Sequence, residues 1–181
     1  MDITSLSASE RILHTAFQLF YRDGIRATGV DKIIAESGVA KLTFYRHYPS
    51  KDDLVRAFLE LRHTQWMAWF TDALGRHGGK LSALPRALAE WFAQPDFRGC
   101  AFINSVVEVE ASVDGIGAIA QRHKLDMERA IATLLPASRQ RPALARAVAV
   151  ALDGAIVRAQ MGDVKGACDS MARLLTALER P

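Results

Sequence analysis

Between Ser37 and Lys51 the chain carries three basic residues, Lys41, Arg46 and Lys51, and no acidic one, with Thr43, Tyr45 and His47 interleaved. Ammonium, guanidinium, hydroxyl and imidazole groups of this kind donate hydrogen bonds to phosphate oxygens and to the base edges of a duplex. Placed on a helix from about Ala40 to His47, they have one apolar companion of the right kind, Phe44, to anchor them to a core. Lys41, Leu42, Thr43, Tyr45, Arg46 and His47 are then left over the remaining surface, with Lys51 just beyond. The partner implied is an anion, and nucleic acid above all.

Something must hold that helix in place. Val30, Ile33 and Ile34 give an inward face to a preceding helix, whose start is read at Thr28, the hydroxyl serving as cap and Asp31 closing a capping box. Ser37-Gly38-Val39 ends it after about two turns, and Gly38 is free to take the left-handed conformation that a sharp corner between helices requires. Upstream, Ser7 and Glu10 form a second capping-box pattern, followed by Leu13, Ala16, Phe17 and Phe20 at helical spacing and by Gly24 as a stop. Ser50 with Asp53 opens a fourth helix, expected to reach about Leu74, before Gly75, Gly78 and Gly79.

The stretch RILHTAFQLFYRDGIRATGVDKIIAESGVAKLTFYRHYPSKDDLVRAFLE, Arg11 to Glu60, resembles the DNA-binding domain of the TetR family of bacterial transcriptional repressors. AFQLFYRDG, the AT before the second helix, GV at the turn and TFYRHYPSKDDL carry the likeness in unbroken register. Two positions depart from it: Ala40 stands where a capping Ser is common, which costs the helix a cap of about 1 kcal/mol, and Leu42 stands where Gly is common. The resemblance implies a DNA-binding set of Thr28, Lys41, Leu42, Thr43, Tyr45, Arg46, His47 and Lys51. Lys41 would reach guanine, Leu42 a thymine methyl, and Thr28, Tyr45, His47 and Lys51 the backbone; for Tyr45 and His47, packing on the domain's own core is the competing use. Tyr48 is left out, as the aromatic that closes the small domain.

The expected architecture is all-α, with about nine helices: a helix-turn-helix domain over 1–50 and a helical effector-binding and dimerisation domain over 51–181. After the fourth helix, helices are read near 82–94, 101–112, 116–135, 140–161 and 164–179. VVEVEASV at 106–113 alternates like a strand, but its helical flanks favour helix. With 50% hydrophobic and 24% charged residues the composition is that of a globular protein. The net charge of +3 says little, since residues 1–63 hold nine Lys/Arg against eight Asp/Glu; local segregation of charge is the signal. The opening MDITSLSASER lacks a secretory layout and no apolar run has membrane length, so a cytoplasmic protein without membrane contact is expected. Cys100 and Cys168 show no metal-ligand spacing, no phosphate loop or nucleophile motif is present, and neither cofactor, metal nor enzymatic activity is expected.

Aromatic residues gather in two places, Trp66 to Phe70 and Trp91 to Phe102, and Asn104, Glu108 and His123 supply polar groups nearby. An effector pocket of Phe70, Trp91, Phe92, Phe102, Asn104, Glu108 and His123 is the functional reading; ordinary core is the plain one. RGCAFINSVVEVEA with His123-Lys124 also resembles the regulatory domain of one large TetR subgroup. Leu144, Val148, Ala151, Leu152, Ala155 and Ile156, with Met171, Leu175 and Leu178, form apolar stripes able to bury within one chain or against a second copy, and the resemblance points to a homodimer. The expected function is a dimeric repressor, released from an inverted-repeat operator in double-stranded DNA by a small-molecule effector. An activator, a redox-responsive regulator using Cys100 beside Arg98, and a helical protein-binding module that ignores DNA are the alternatives.

Overall fold

The computed structural model describes residues 6–178, and among these every regular element is helical. In chain order the helices are α1 (Ala8–Asp23), α2 (Val30–Ser37), α3 (Lys41–His47), α4 (Lys51–Arg76), α5 (Leu84–Phe92), α6 (Ala101–Val109), α7 (Ile116–Ala132), α8 (Arg141–Gln160) and α9 (Val164–Leu178), with a 3-10 turn at Leu81–Ala83 before α5. The 106–113 stretch is helical through Val109 and then turns, so the strand alternative fails. Residues 1–5, part of the opening segment, and residue 179, the expected end of the last helix, lie outside the described residues.

Two compact units divide the chain, and the boundaries fall within α4, after His63, at the start of α6, after Cys100, and within α7, after Ala120. The first unit joins residues up to His63 to Ala101–Ala120, and so extends beyond the 1–50 expected for a DNA-reading domain. Its core is built from Ile12, Ala16, Leu19, Phe20, Ile33, Phe44, Leu54 and Phe58, with Phe17 and Phe20 both edge-on to Phe58 at 5.5 Å. α1 packs on α2 and α3. The second unit, Thr64–Cys100 with Gln121 onward, buries Phe70, Leu84, Leu88, Val148, Leu152, Ile156, Met171 and Leu175, α9 lying against both α5 and α8.

Local chemistry explains where the helices begin. The Ser7 side chain and Glu10 carboxylate exchange hydrogen bonds with each other's backbone N–H, closing the expected capping box of α1. Ser50 and Asp53 do the same for α4: Asp53 N donates to Ser50 Oγ at 3.1 Å, and Ser50 N to Asp53 Oδ2 at 3.1 Å. Gly38 is left-handed (φ 65, ψ 31), as the corner between α2 and α3 requires.

Thr28 departs from expectation. The N-cap of α2 is Gly29 with no side-chain cap, and the Thr28 hydroxyl turns back to donate to the Gly24 carbonyl at 2.7 Å. It pins the loop between α1 and α2.

Candidate nucleic-acid interface

α3 is a seven-residue helix in which only Phe44 is buried, its ring edge-on to Tyr45 at 5.2 Å and tilted to Tyr48 at 6.4 Å. That single anchor fixes the rotation of the helix, and with it which side chains face water. Lys41, Leu42, Tyr45, Arg46 and His47 are exposed and Thr43 is partly so, Leu42 being 77% exposed. Tyr45 and His47 therefore do not pack into the core. Tyr48 does close the domain, sharing a hydrogen bond with Ser9 of α1 at 3.2 Å. Ala40 supplies no side-chain cap, in keeping with the departure seen in the sequence.

Electrostatics refine the expected set. Lys41 lies 3.7 Å from Asp31 of α2, a contact between two well-exposed groups that is easily given up. The helix itself is free of acid, but its first cation is not free of an acidic neighbour. Lys51 is half-buried, and desolvation pulls its ammonium below the ordinary lysine pKa against the opposing influence of Glu108 and Asp52. Thr28 is fully buried with its hydroxyl committed to Gly24, which corrects its expected role as a phosphate contact in this conformation.

Glu108 of α6 is a second correction. Instead of lining an effector pocket, its carboxylate accepts the backbone N–H of Ile25 at 3.1 Å and of Arg26 at 2.7 Å, closing the loop that follows α1. Gly24 makes room for it: at φ 93 its backbone is in the region that favours glycine, and a Cβ there would come 2.9 Å from Glu108 Oε1. Arg56 adds a tie within the same unit, donating to the Asp114 carbonyl at 3.1 Å. Contacts between residues more than eighty positions apart leave no mark in sequence periodicity, so reading the chain missed them.

A sequence model described as bacterial regulatory proteins, tetR family, matches residues 12–58, the stretch that contains α2, the Gly38 corner and α3. The solved structure of SCO4454, a TetR-family transcriptional regulator from Streptomyces coelicolor, is 29% identical, covers 92% of this chain and 90% of its own, and superposes with a TM-score of 0.80. Over residues 12–58 the chain carries the TetR-family sequence, and its fold is that of TetR-family regulators. A regulatory protein TetR from Rhodobacter sphaeroides is 25% identical over 92% of this chain and 96% of its own, with a TM-score of 0.76. The uncharacterized HTH-type transcriptional regulator YxaF of Bacillus subtilis is 46% identical over 46 residues, which is 25% of this chain and 24% of YxaF. The chain thus matches that curated relative over about a quarter of its length. Among the described residues, no helix is long and apolar enough to cross a membrane.

The remaining expected residues fall in both units. Phe102 and Asn104 belong to the first, with Glu108; Phe70, Trp91, Phe92 and His123 belong to the second. Rings of the second unit touch one another: Trp66 stacks on Phe70 at 4.6 Å and meets Trp91 and His123 edge-on at 5.5 and 5.1 Å, while Phe97 lies 5.1 Å from Trp91 and 5.0 Å from Phe92. Beside them Glu90 accepts a bidentate pair from Arg76 at 2.8 and 2.9 Å, with His77 and Trp69 also in hydrogen-bond contact. The Arg76 hydrogen bonds lead in lowering the Glu90 pKa to about 2, against desolvation.

Two further expectations change. Val148, Leu152, Ala155, Ile156, Met171 and Leu175, expected at a dimer interface, are buried within the protomer, leaving Leu144, Ala151 and Leu178 of that set accessible. α8 has a second apolar face at Ala147, Val150, Ala151 and Gly154, with Met161 just past its end, and α9 adds Leu174 and Leu178. The cation beside Cys100 is Lys124, whose ammonium donates to Sγ at 3.4 Å and to Asp153 at 2.6 Å; Arg98 donates to the Pro95 and Phe97 carbonyls.

Proposed function

We propose that this chain is a dimeric repressor that inserts α3 into the major groove of an inverted-repeat operator and is released by a small-molecule effector. One observation carries the reading: a short, acid-free helix anchored by Phe44 alone holds six other side chains at the surface, three of them Lys41, Arg46 and His47. Lys41, Leu42 and Thr43, at the N-terminal end, meet base edges, and Tyr45, Arg46, His47 and Lys51 grip phosphates. Repression and dimerisation are the family's habit, and the outward apolar face of α8 and α9 supports a two-fold contact. It would use Val150, Ala151, Gly154, Met161, Leu174 and Leu178 in place of the buried stripe.

Phe70, Trp91, Phe92 and His123 form the wall of the effector site. An effector acts by preferring a protein conformation that cannot place both α3 copies on DNA, typically with a difference of about 1–3 kcal/mol. Gel shift of the full chain on DNA flanking its own gene tests the reading. Lys41→Ala is expected to weaken binding about 10- to 100-fold if the lysine reads a base, or to lower the salt slope by about 0.9 if it meets a phosphate. Equal affinity of variant and parent at every salt concentration removes Lys41 from the interface, and failure of the parent chain to shift this DNA at all removes α3.

A further inference from the structure

The aromatic cluster of the second unit contains a polar group that its neighbours leave unused. Trp66 is 6% exposed, and its indole Nε1 is buried with no hydrogen-bond partner. Buried donors are almost always satisfied, because one that is not has lost water and gained nothing. Trp69, one turn along α4, shows the ordinary arrangement, its Nε1 donating to Glu90 at 3.3 Å. Trp66 is instead surrounded by rings: Phe70 stacked on it, Trp91 and His123 edge-on, and Trp69 tilted at 6.1 Å.

We propose that Trp66 is the polar recognition point of the effector site, and that its ligand is a flat, neutral aromatic molecule with a hydrogen-bond acceptor, such as a ring-conjugated carbonyl, set against Nε1. The inference rests on the effector reading above and gives that site its ligand class. Flatness follows from the packing, since Trp66, Phe70 and Trp91 are buried against one another and only a planar ring can take the place of one of these stacked or edge-on contacts. The acceptor follows from the unused donor. A ligand ring entering here exchanges one aromatic edge contact for another, so the new hydrogen bond to Nε1 is where binding gains. Neutrality follows from charge: the carboxylate that reaches these rings, Glu90, is already held by Arg76, His77 and Trp69, and has no charge to spare for a cation.

Fluorenone and fluorene provide the test, for they share a tricyclic skeleton and differ in the carbonyl. Titrated into the full chain and followed by tryptophan quenching, fluorenone is expected to bind about tenfold more tightly than fluorene. In nitrogen-15 spectra, of the three tryptophan indole N–H signals, that of Trp66 is expected to move downfield with fluorenone and not with fluorene. Trp66→Phe keeps an aromatic ring, removes the donor, and should bring the two affinities to within about twofold. The cationic probe N-methylacridinium should bind more weakly than fluorenone.

Equal binding of the two neutral probes, failure of both to bind, tighter binding of the cation, or a carbonyl preference that survives Trp66→Phe each overturns the proposal. Should that variant not fold, the indole shift in the unaltered protein decides alone. DNA release is read separately by gel shift. Fluorenone bound through Trp66 without release overturns the effector reading and leaves the contact standing, whereas release without the indole shift does the reverse.

Discussion

α3 and the aromatic cluster around Trp66 use side chains in opposite ways. In α3 one ring, Phe44, is buried and the remaining side chains reach the surface, so its chemistry is held ready for a partner. In the cluster the side chains are turned on one another, and a single indole N–H is left over. A surface site therefore needs only a correct helix rotation, which one large apolar residue can set. An interior site depends on whether neighbouring rings satisfy each other, and that is decided by elements distant in sequence.

The comparison is broken most severely at its anchor. Phe44→Ala should destabilise the first unit by about 3–5 kcal/mol, lowering the urea midpoint and abolishing DNA binding together; an unchanged midpoint would mean that the ring does not fix the helix. Next in size, Val150→Asp places a charge on the outward face of α8, where Val150 is 67% exposed. It should raise the dimer dissociation constant by at least about 100-fold, as read by sedimentation, while the protomer melts as before. A dimer that persists would return the interface to another face.

The smallest effect sharpens the interior half. The Glu90 pKa of about 2 lies below its ordinary 4.5, chiefly through the Arg76 hydrogen bonds. A depressed carboxylate contributes stability that is complete above the ordinary value and lost as pH falls from there through about 2. The partial exposure of the Arg76 pair keeps this contribution modest. Glu90→Gln should melt slightly earlier at pH 6 and show a flatter decline between pH 4 and 3. Parallel melting curves for variant and parent would show that the ion pair has no weight.

Much of the fold was legible because local rules decide it. Ser7 with Glu10, Ser50 with Asp53, and Gly38 each form the cap or corner that their types demand. Phe44 as anchor follows from helical spacing, and with it the outward set of α3. Thr28 was misread because its hydroxyl has two partners within reach, the start of α2 ahead and the Gly24 carbonyl behind, and sequence does not rank them. Helix α8 was misread because both of its faces are rich in alanine and valine, so periodicity identifies stripes without saying which one faces inward. Glu108 and Trp66 depend on neighbours far away along the chain: one carboxylate found two backbone donors, and one indole found none.

The central claim is that two copies of α3 read one duplex. Footprinting of the full chain on the DNA flanking its gene tests it most directly. Two protected half-sites are predicted, related by inverted symmetry, centred about one helical turn or modestly more apart, and shifted together to higher protein concentration on Lys41→Ala. Protection of a single asymmetric half-site by a monomer, or none at any concentration that saturates the dimer, would contradict it.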